Sequence, residues 1–144
     1  MKLFKTFAIA LSLIAILSGC YKAGCTDLQA TNYDSKMKKH DLSCTYTGDM
    51  VFWTTVAVRD SLINLGHVML RFELEGELVD SMATASFSAG TGTCGGAGTK
   101  TIHRIFDDNT ERTYKYRVKG LNFTTIYEGF ITIEANDCKA VKLL

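Results

Sequence analysis

The sequence predicts an all-β fold, in which an antiparallel β-sandwich follows a short loop module closed by a disulfide. In residues 49–144 no apolar stripe repeats with the helical period of 3.6, whereas apolar and polar residues alternate in several runs. Turn-forming residues separate these runs, which number about seven. A segment of this length forms one domain, so we expect an immunoglobulin-like or transthyretin-like sandwich of about seven strands.

The first three predicted strands cover residues 50–58, 67–75 and 78–87. The first of them contains Trp53, the only tryptophan of the chain. The second shows the clearest alternation, and its apolar side chains are expected to face the core: Val68, Leu70, Phe72 and Leu74. A turn at residues 75–77 predicts that the second and third strands form a hairpin.

The last four predicted strands cover residues 101–106, 113–118, 123–135 and 139–144. Polar and glycine-containing turns at residues 107–110 and 120–122 separate the first three of them. Alternation predicts which side chains point inward: Tyr114, Tyr116, Val118, Tyr127, Gly129, Ile131, Ile133, Val141 and Leu143. These strands complete the predicted sandwich.

The N-terminus has the layout of a secretory signal. Two lysines precede an apolar run at residues 7–17, which is shorter than the roughly 20 residues of a membrane-spanning helix. The run ends in Leu17-Ser18-Gly19-Cys20, which resembles the lipobox of bacterial lipoproteins. This resemblance implies cleavage before Cys20, a thioether-linked lipid on its sulfur and acylation of the new amino group. We therefore expect a signal peptide at residues 1–19 and a lipid anchor at Cys20.

The chain contains five cysteines, an odd number for an exported protein. If Cys20 carries lipid, four cysteines remain for two disulfides in an oxidising compartment. Three pairings are possible, and we favour Cys25 with Cys44 and Cys94 with Cys138, because each bond then closes within one sequence segment. A zinc site is disfavoured, since no Cys-x2-Cys pair occurs and the three histidines are scattered.

Residues 20–48 contain too little apolar material for a core, so a disulfide must hold this spacer together. Its motifs are Gly24-Cys25-Thr26-Asp27, Ala30-x-Asn32-Tyr33-Asp34 and Asp41-x-Ser43-Cys44-x-Tyr46. They resemble a short cysteine repeat, GCTDxxAxNYDxxAxxDDGSCxY, of secreted and surface proteins of the Bacteroidota. The oxygen-bearing side chains of this module either cap its turns or bind calcium. The candidate calcium ligands are Asp27, Asn32, Asp34 and Asp41.

A second set of motifs is spread over residues 48–144. It comprises Gly48-x-x-Val51-Phe52-Trp53-Thr54, Cys94-Gly95, Tyr114-x-Tyr116, Tyr127-x-Gly129, Ile131-Thr132-Ile133 and Cys138-x-x-Val141-x-Leu143. Together these motifs resemble a small domain that follows lipoboxes or cysteine modules in Bacteroidota proteins of unassigned function. The resemblance implies that residues 49–144 form this domain. It implies no reaction.

We identify no catalytic constellation in the sequence. Residues 90–95 match G-x-G-x-x-G, but a β-type run follows where a phosphate site needs the N-terminus of a helix. His67 and His103 are expected to be solvated, and no hydrolase motif includes them. Trp53 and Tyr127 are interpreted as core anchors, with sugar stacking as the alternative.

Charge and composition limit the partners. Two of the sixteen basic residues lie in the signal, so fourteen remain against fifteen acidic ones, and this balance argues against a nucleic-acid surface. We expect a lipid-anchored cell-envelope protein, associated with the outer membrane, whose sandwich is a non-catalytic binding or scaffolding module without a cofactor. Its partner would be an envelope protein or a glycan. The alternatives are a small hydrolase with a loop-built site and a calcium-stiffened stalk.

Overall fold

The structure is a computed structural model that describes residues 21–87, 92–107 and 109–144. The predicted signal peptide and Cys20 lie outside the described residues. A short 3-10 helix covers Thr84–Ser86. In chain order the other elements are β1 (Ala23–Gly24), β2 (Lys39–His40), β3 (Thr45–Thr54), α1 (Val56–Asn64), β4 (Met69–Leu74), β5 (Glu77–Ala83), β6 (Lys100–Asp107), β7 (Glu111–Lys119), β8 (Thr125–Glu134) and β9 (Cys138–Leu143).

Strands β3 to β9 form two sheets that pack face to face. The three-stranded sheet has the order β6-β3-β9, and the four-stranded sheet has the order β5-β4-β7-β8. All strand pairs of the larger sheet are antiparallel. In the smaller sheet, β3 is antiparallel to β6 but parallel to β9. The prediction of an all-β sandwich with about seven strands is confirmed, and the parallel pair is an exception to purely antiparallel pairing.

Aromatic side chains from both sheets form the centre of the core. The ring centroid of Phe52 on β3 lies 5.0 Å from that of Phe72 on β4 and 5.4 Å from that of Tyr116 on β7. Phe72 also faces Phe87, which is buried beyond the 3-10 helix. The contacts of Phe52 with Phe72 and Tyr116 join the inner faces of the two sheets.

The predicted core residues are nearly all inside. Tyr116, Tyr127 and Val141 are half-buried against the core, and Val68 is 56% exposed because β4 begins one residue later, at Met69. The hairpin prediction is confirmed, since β4 and β5 pair through a turn in which Glu75 and Gly76 both have positive φ. The fully buried members of the predicted set are Leu70, Phe72, Leu74, Tyr114, Val118, Ile131, Ile133 and Leu143.

The prediction that the first strand continues to residue 58 is wrong. Strand β3 ends at Thr54, and helix α1 starts at Val56. The side chain of Thr55 caps this helix by accepting a hydrogen bond from the Val58 amide at 3.3 Å. Only Leu62 of the helix is buried, so α1 has no continuous apolar stripe for the sequence to reveal.

The cysteine module is packed against the sandwich and continuous with it. Cys25, Ala30 and Cys44 belong to the same buried cluster as the sandwich core. The Asn136 side chain in the β8–β9 turn donates a hydrogen bond to the Gln29 carbonyl oxygen at 2.9 Å. The expected boundary between residues 48 and 49 falls inside β3, so one strand serves both the module and the sandwich.

The module and helix α1 lie at opposite ends of the sandwich. Strand β3 begins beside the disulfide of the module at Thr45 and ends at Thr54, where α1 follows. Amides of the β8–β9 turn bond to the carbonyl oxygens of Thr47 and Thr110, which places the start of β7 near the module. The β7–β8 turn, residues 120–124, therefore lies at the far end with α1. We call this the apical end.

Candidate functional site

Both disulfides have the favoured pairing. Cys25 is bonded to Cys44, and Cys94 is bonded to Cys138. The first bond is buried where the module meets the sandwich, whereas Cys138 is exposed at the start of β9. Cys20, the predicted lipidation site, lies outside the described residues.

Both carboxylate oxygens of Asp27, the first calcium candidate, accept hydrogen bonds from the protein. Oδ1 accepts from the Gln29 amide at 2.9 Å, and Oδ2 accepts from the Tyr46 hydroxyl at 2.8 Å. The Gln29 amide, and after it the Tyr46 hydroxyl, hold the pKa of Asp27 below its usual value, because both bonds favour the charged form. This carboxylate ties the first turn of the module to β3.

The other three candidates also bond to the backbone. Oδ1 of Asp34 and Oδ1 of Asp41 each accept from the amide two residues further on, at 2.9 and 3.0 Å. Hydrogen bonding to Ser43 lowers the pKa of Asp41. Asn32 accepts from the Thr45 amide at 2.9 Å through Oδ1. These contacts match the turn-capping interpretation, and within residues 21–87, 92–107 and 109–144 no three His, Cys, Asp or Glu side chains are grouped to hold a metal ion.

The three histidines lie in separate places. His103 is exposed on β6, where its Nδ1 is 2.8 Å from Oδ1 of Asp49. His40 in the module has its Nδ1 3.6 Å from the Cys44 sulfur. His67 precedes β4 at the apical end. The structure therefore does not unite these side chains into one site.

Trp53 and Tyr127 belong to different sheets. Trp53 is half-buried on the outer face of β3, with the Lys142 ammonium 5.3 Å from its ring centroid. Gly92 lies directly against the ring, where a Cβ would be 2.2 Å from Cδ1 of Trp53. Tyr127 is half-buried against the core, and burial raises the pKa of its hydroxyl. The two rings therefore do not form a shared stacking platform.

The glycine-rich motif at residues 90–95 lies partly outside the described residues. Its described part belongs to a segment of turns that leads into β6, and the amide of Cys94 lies 3.1 Å from the sulfur of Cys138. A strand thus follows this segment, as the sequence predicts. In the described residues 92–107 no helix follows the motif, whereas a phosphate site requires the N-terminus of a helix.

The apical end carries a cluster of exposed apolar side chains that the sequence analysis did not identify. We define the apical surface by Leu65, Val68, Leu121 and Phe123, which are between 48 and 70% exposed. They come from the loop after α1 and from the β7–β8 turn. A shallow pocket lies between these loops, lined by Leu65, Gly66, His67, Leu121 and Asn122.

The two apical loops meet where the His67 side chain lies against Gly120. A Cβ on Gly120 would lie 2.6 Å from Nδ1 of His67, so a larger residue here would require the imidazole to move. The Asn122 side chain accepts from the Thr124 amide at 3.2 Å and thereby shapes the turn. The glycine and asparagine of this turn were visible in the sequence as turn residues, but their proximity to His67 was not.

Cations border the apical surface. The Arg71 guanidinium lies 4.4 Å from the centroid of the Phe123 ring, within the range of a cation–π contact. Beside it, Nζ of Lys119 is 2.8 Å from Oε1 of Glu73 in an ion pair that is largely shielded from solvent. The apical surface thus combines exposed apolar groups with the Arg71 guanidinium and an ion pair at its edge.

Comparisons with protein-family models, with curated proteins and with solved structures find no match to this chain.

Proposed function

We propose that this chain is a lipid-anchored cell-envelope protein whose sandwich is a non-catalytic binding or scaffolding module. The sequence supports the anchor through the lipobox-like ending at Cys20. The observation that carries the proposal is the placement of two features at opposite ends of the fold. The N-terminal module lies at one end of the sandwich and the apical surface at the other, so an anchored chain would hold this surface away from the membrane.

The packing of the module supports the same interpretation. Because β3 runs from the module into the sandwich and Tyr46 stacks on Phe106, the sandwich would not pivot freely on the module. Two disulfides add resistance to unfolding in an oxidising compartment. A rigid, stapled sandwich of this kind is suited to presenting a recognition surface.

The anchor is tested by expressing the full chain and its Cys20→Ser variant in a bacterial host. We expect the wild type in the membrane fraction with a cleaved, acylated N-terminus, measured by mass spectrometry of the N-terminal peptide. The variant should keep its signal peptide or lose the acyl mass. A wild-type chain with an unmodified cysteine at residue 20 would contradict the proposed anchor.

The binding role is tested by affinity capture from intact envelopes. A Leu65→Ser/Leu121→Ser variant removes two side chains of the apical surface, and a Leu78→Ser/Ile105→Ser variant removes two exposed apolar groups elsewhere. We expect the wild type and the control to retain the same envelope protein or glycan at saturable levels, and the apical variant to lose it. Equal capture by all three chains would show that the apical surface is not used.

A further inference from the structure

Three lysines come together where the described chain begins. Strands β1 and β2 pair in parallel, with Ala23 opposite Lys39. The Lys38 amide donates to the Lys22 carbonyl oxygen at 3.1 Å, so these two lysines are also neighbours. We call Lys22, Lys38 and Lys39 the basic rim, and all three are exposed.

The ion pairs within the described part of the chain do not include the lysines of the rim. Among the residues that the structure describes, none of its three ammonium groups lies within 4.0 Å of a carboxylate. The module does contain Asp27, Asp34 and Asp41, but each directs a carboxylate oxygen to the amide of its own turn. The rim therefore presents unpaired positive charge to its surroundings.

The rim is close to the residue that would carry the lipid. Lys22 is two residues from Cys20, a distance of at most roughly 7 Å along the backbone. The partner strand adds roughly 5 Å. A charge interacts with a membrane surface over about 8 Å at physiological ionic strength, and long lysine side chains extend that reach. Anchoring at Cys20 would thus hold all three ammonium groups at the level of the lipid head groups.

We propose that the basic rim docks the cysteine module onto anionic lipid head groups of the membrane that receives the acyl chains. This inference rests on the proposed anchoring. The acyl chains supply attachment, and the rim supplies orientation, because a second contact beside the anchor restricts tilting of the module. The exposed Tyr21 lies between anchor and rim and has the amphipathic ring that favours the membrane interface. With the module flat on the head groups, the apical surface points away from the bilayer.

The test uses residues 21–144 without lipid, a chain that contains every described element and both disulfides. Its binding is measured by cosedimentation with vesicles of phosphatidylcholine, with or without phosphatidylglycerol. We expect binding only to the anionic vesicles, and weaker binding as salt rises. Each lysine near the surface contributes about fivefold in affinity, so Lys22→Gln/Lys38→Gln/Lys39→Gln should weaken binding roughly a hundredfold.

A matched variant removes three charges from the sandwich, Lys115→Gln/Arg117→Gln/Lys139→Gln, and should bind anionic vesicles like the wild type. Equal binding to both vesicle types, or equal losses in the two triple variants, would overturn the proposal. Circular dichroism checks that all chains are folded. Because the chain used here carries no lipid, a failure to bind anionic vesicles would refute the docking proposal without testing the anchor at Cys20. A finding that Cys20 is not acylated would, in turn, leave the vesicle measurement unchanged.

Discussion

The disulfide between Cys94 and Cys138 should account for a large part of the stability of the sandwich. Cys138 is the first residue of β9, which pairs in parallel with β3 opposite Asp49. Cys94 belongs to the segment that leads into β6, on the other side of β3. The bond therefore links both neighbours of the central strand.

The size of the effect follows from the length of the closed loop. The bond joins residues separated by 44 positions, and the entropy removed from the unfolded chain corresponds to about 4 kcal/mol. The bond between Cys25 and Cys44 spans 19 positions and corresponds to about 3 kcal/mol. Either value is a substantial share of the 5–15 kcal/mol by which domains are typically stable. Because Cys138 is exposed, its replacement by alanine adds little loss of packing, which makes this bond the cleaner test.

The assay is urea unfolding of the oxidised wild type and of Cys94→Ala/Cys138→Ala. We expect the free energy of unfolding to fall by about 4 kcal/mol and the m-value to rise, since an unfolded chain without the bond is less compact. A thiol assay confirms that the remaining bond is intact, and Cys25→Ala/Cys44→Ala is the comparison. A loss below about 1 kcal/mol with an unchanged m-value would refute the reasoning from loop closure.

Three further predictions concern single positions. Thr54→Val removes a buried hydroxyl that donates to the Leu143 carbonyl oxygen at 2.9 Å. The free energy of unfolding, measured in urea, should fall by about 1–2 kcal/mol. No change would show that this hydrogen bond is dispensable. Gly129→Ala places a methyl group 2.8 Å from the Tyr116 hydroxyl oxygen. The free energy of unfolding should fall by about 1–3 kcal/mol, which would appear as a lower melting temperature. An unchanged melting temperature would mean that the tyrosine ring moves aside freely. The Asp27 carboxylate has a lower pKa in the folded protein than its unfolded value of 3.8, so its contribution to stability is complete above pH 3.8 and is lost as the pH falls through the folded pKa. Asp27→Asn should therefore flatten the acid limb of a curve of stability against pH. Identical acid limbs for the two chains would contradict this prediction.

The larger sheet was the most predictable part of the fold. Its strands have one face toward solvent, so Leu70, Phe72 and Leu74 alternate with polar residues and reveal both the strand and its inner face. The same rule failed at α1, because a helix that buries only Leu62 carries no periodic signal. The local signal was Thr55, whose side chain is suited to capping a helix, but threonine is equally common in strands.

The candidate surfaces were the least predictable part. Leu65 and Leu121 lie in loops far apart in the sequence, and their proximity depends on contacts such as that between His67 and Gly120. The basic rim has the same origin, since Lys22 and Lys38 meet through the pairing of β1 with β2. The sequence shows the residue types in such cases but not their distances.

The fold class, the favoured disulfide pairing and the expected anchor at Cys20 could all be inferred from the amino-acid sequence. These properties depend on local patterns: alternation along a strand, the spacing of cysteines and the order of residues in a signal. Three-dimensional contacts were needed to show that the module shares β3 with the sandwich and that the apical surface lies at the other end. The reason is physical, because burial and proximity are set by contacts between residues far apart in the chain, and no local pattern encodes those distances.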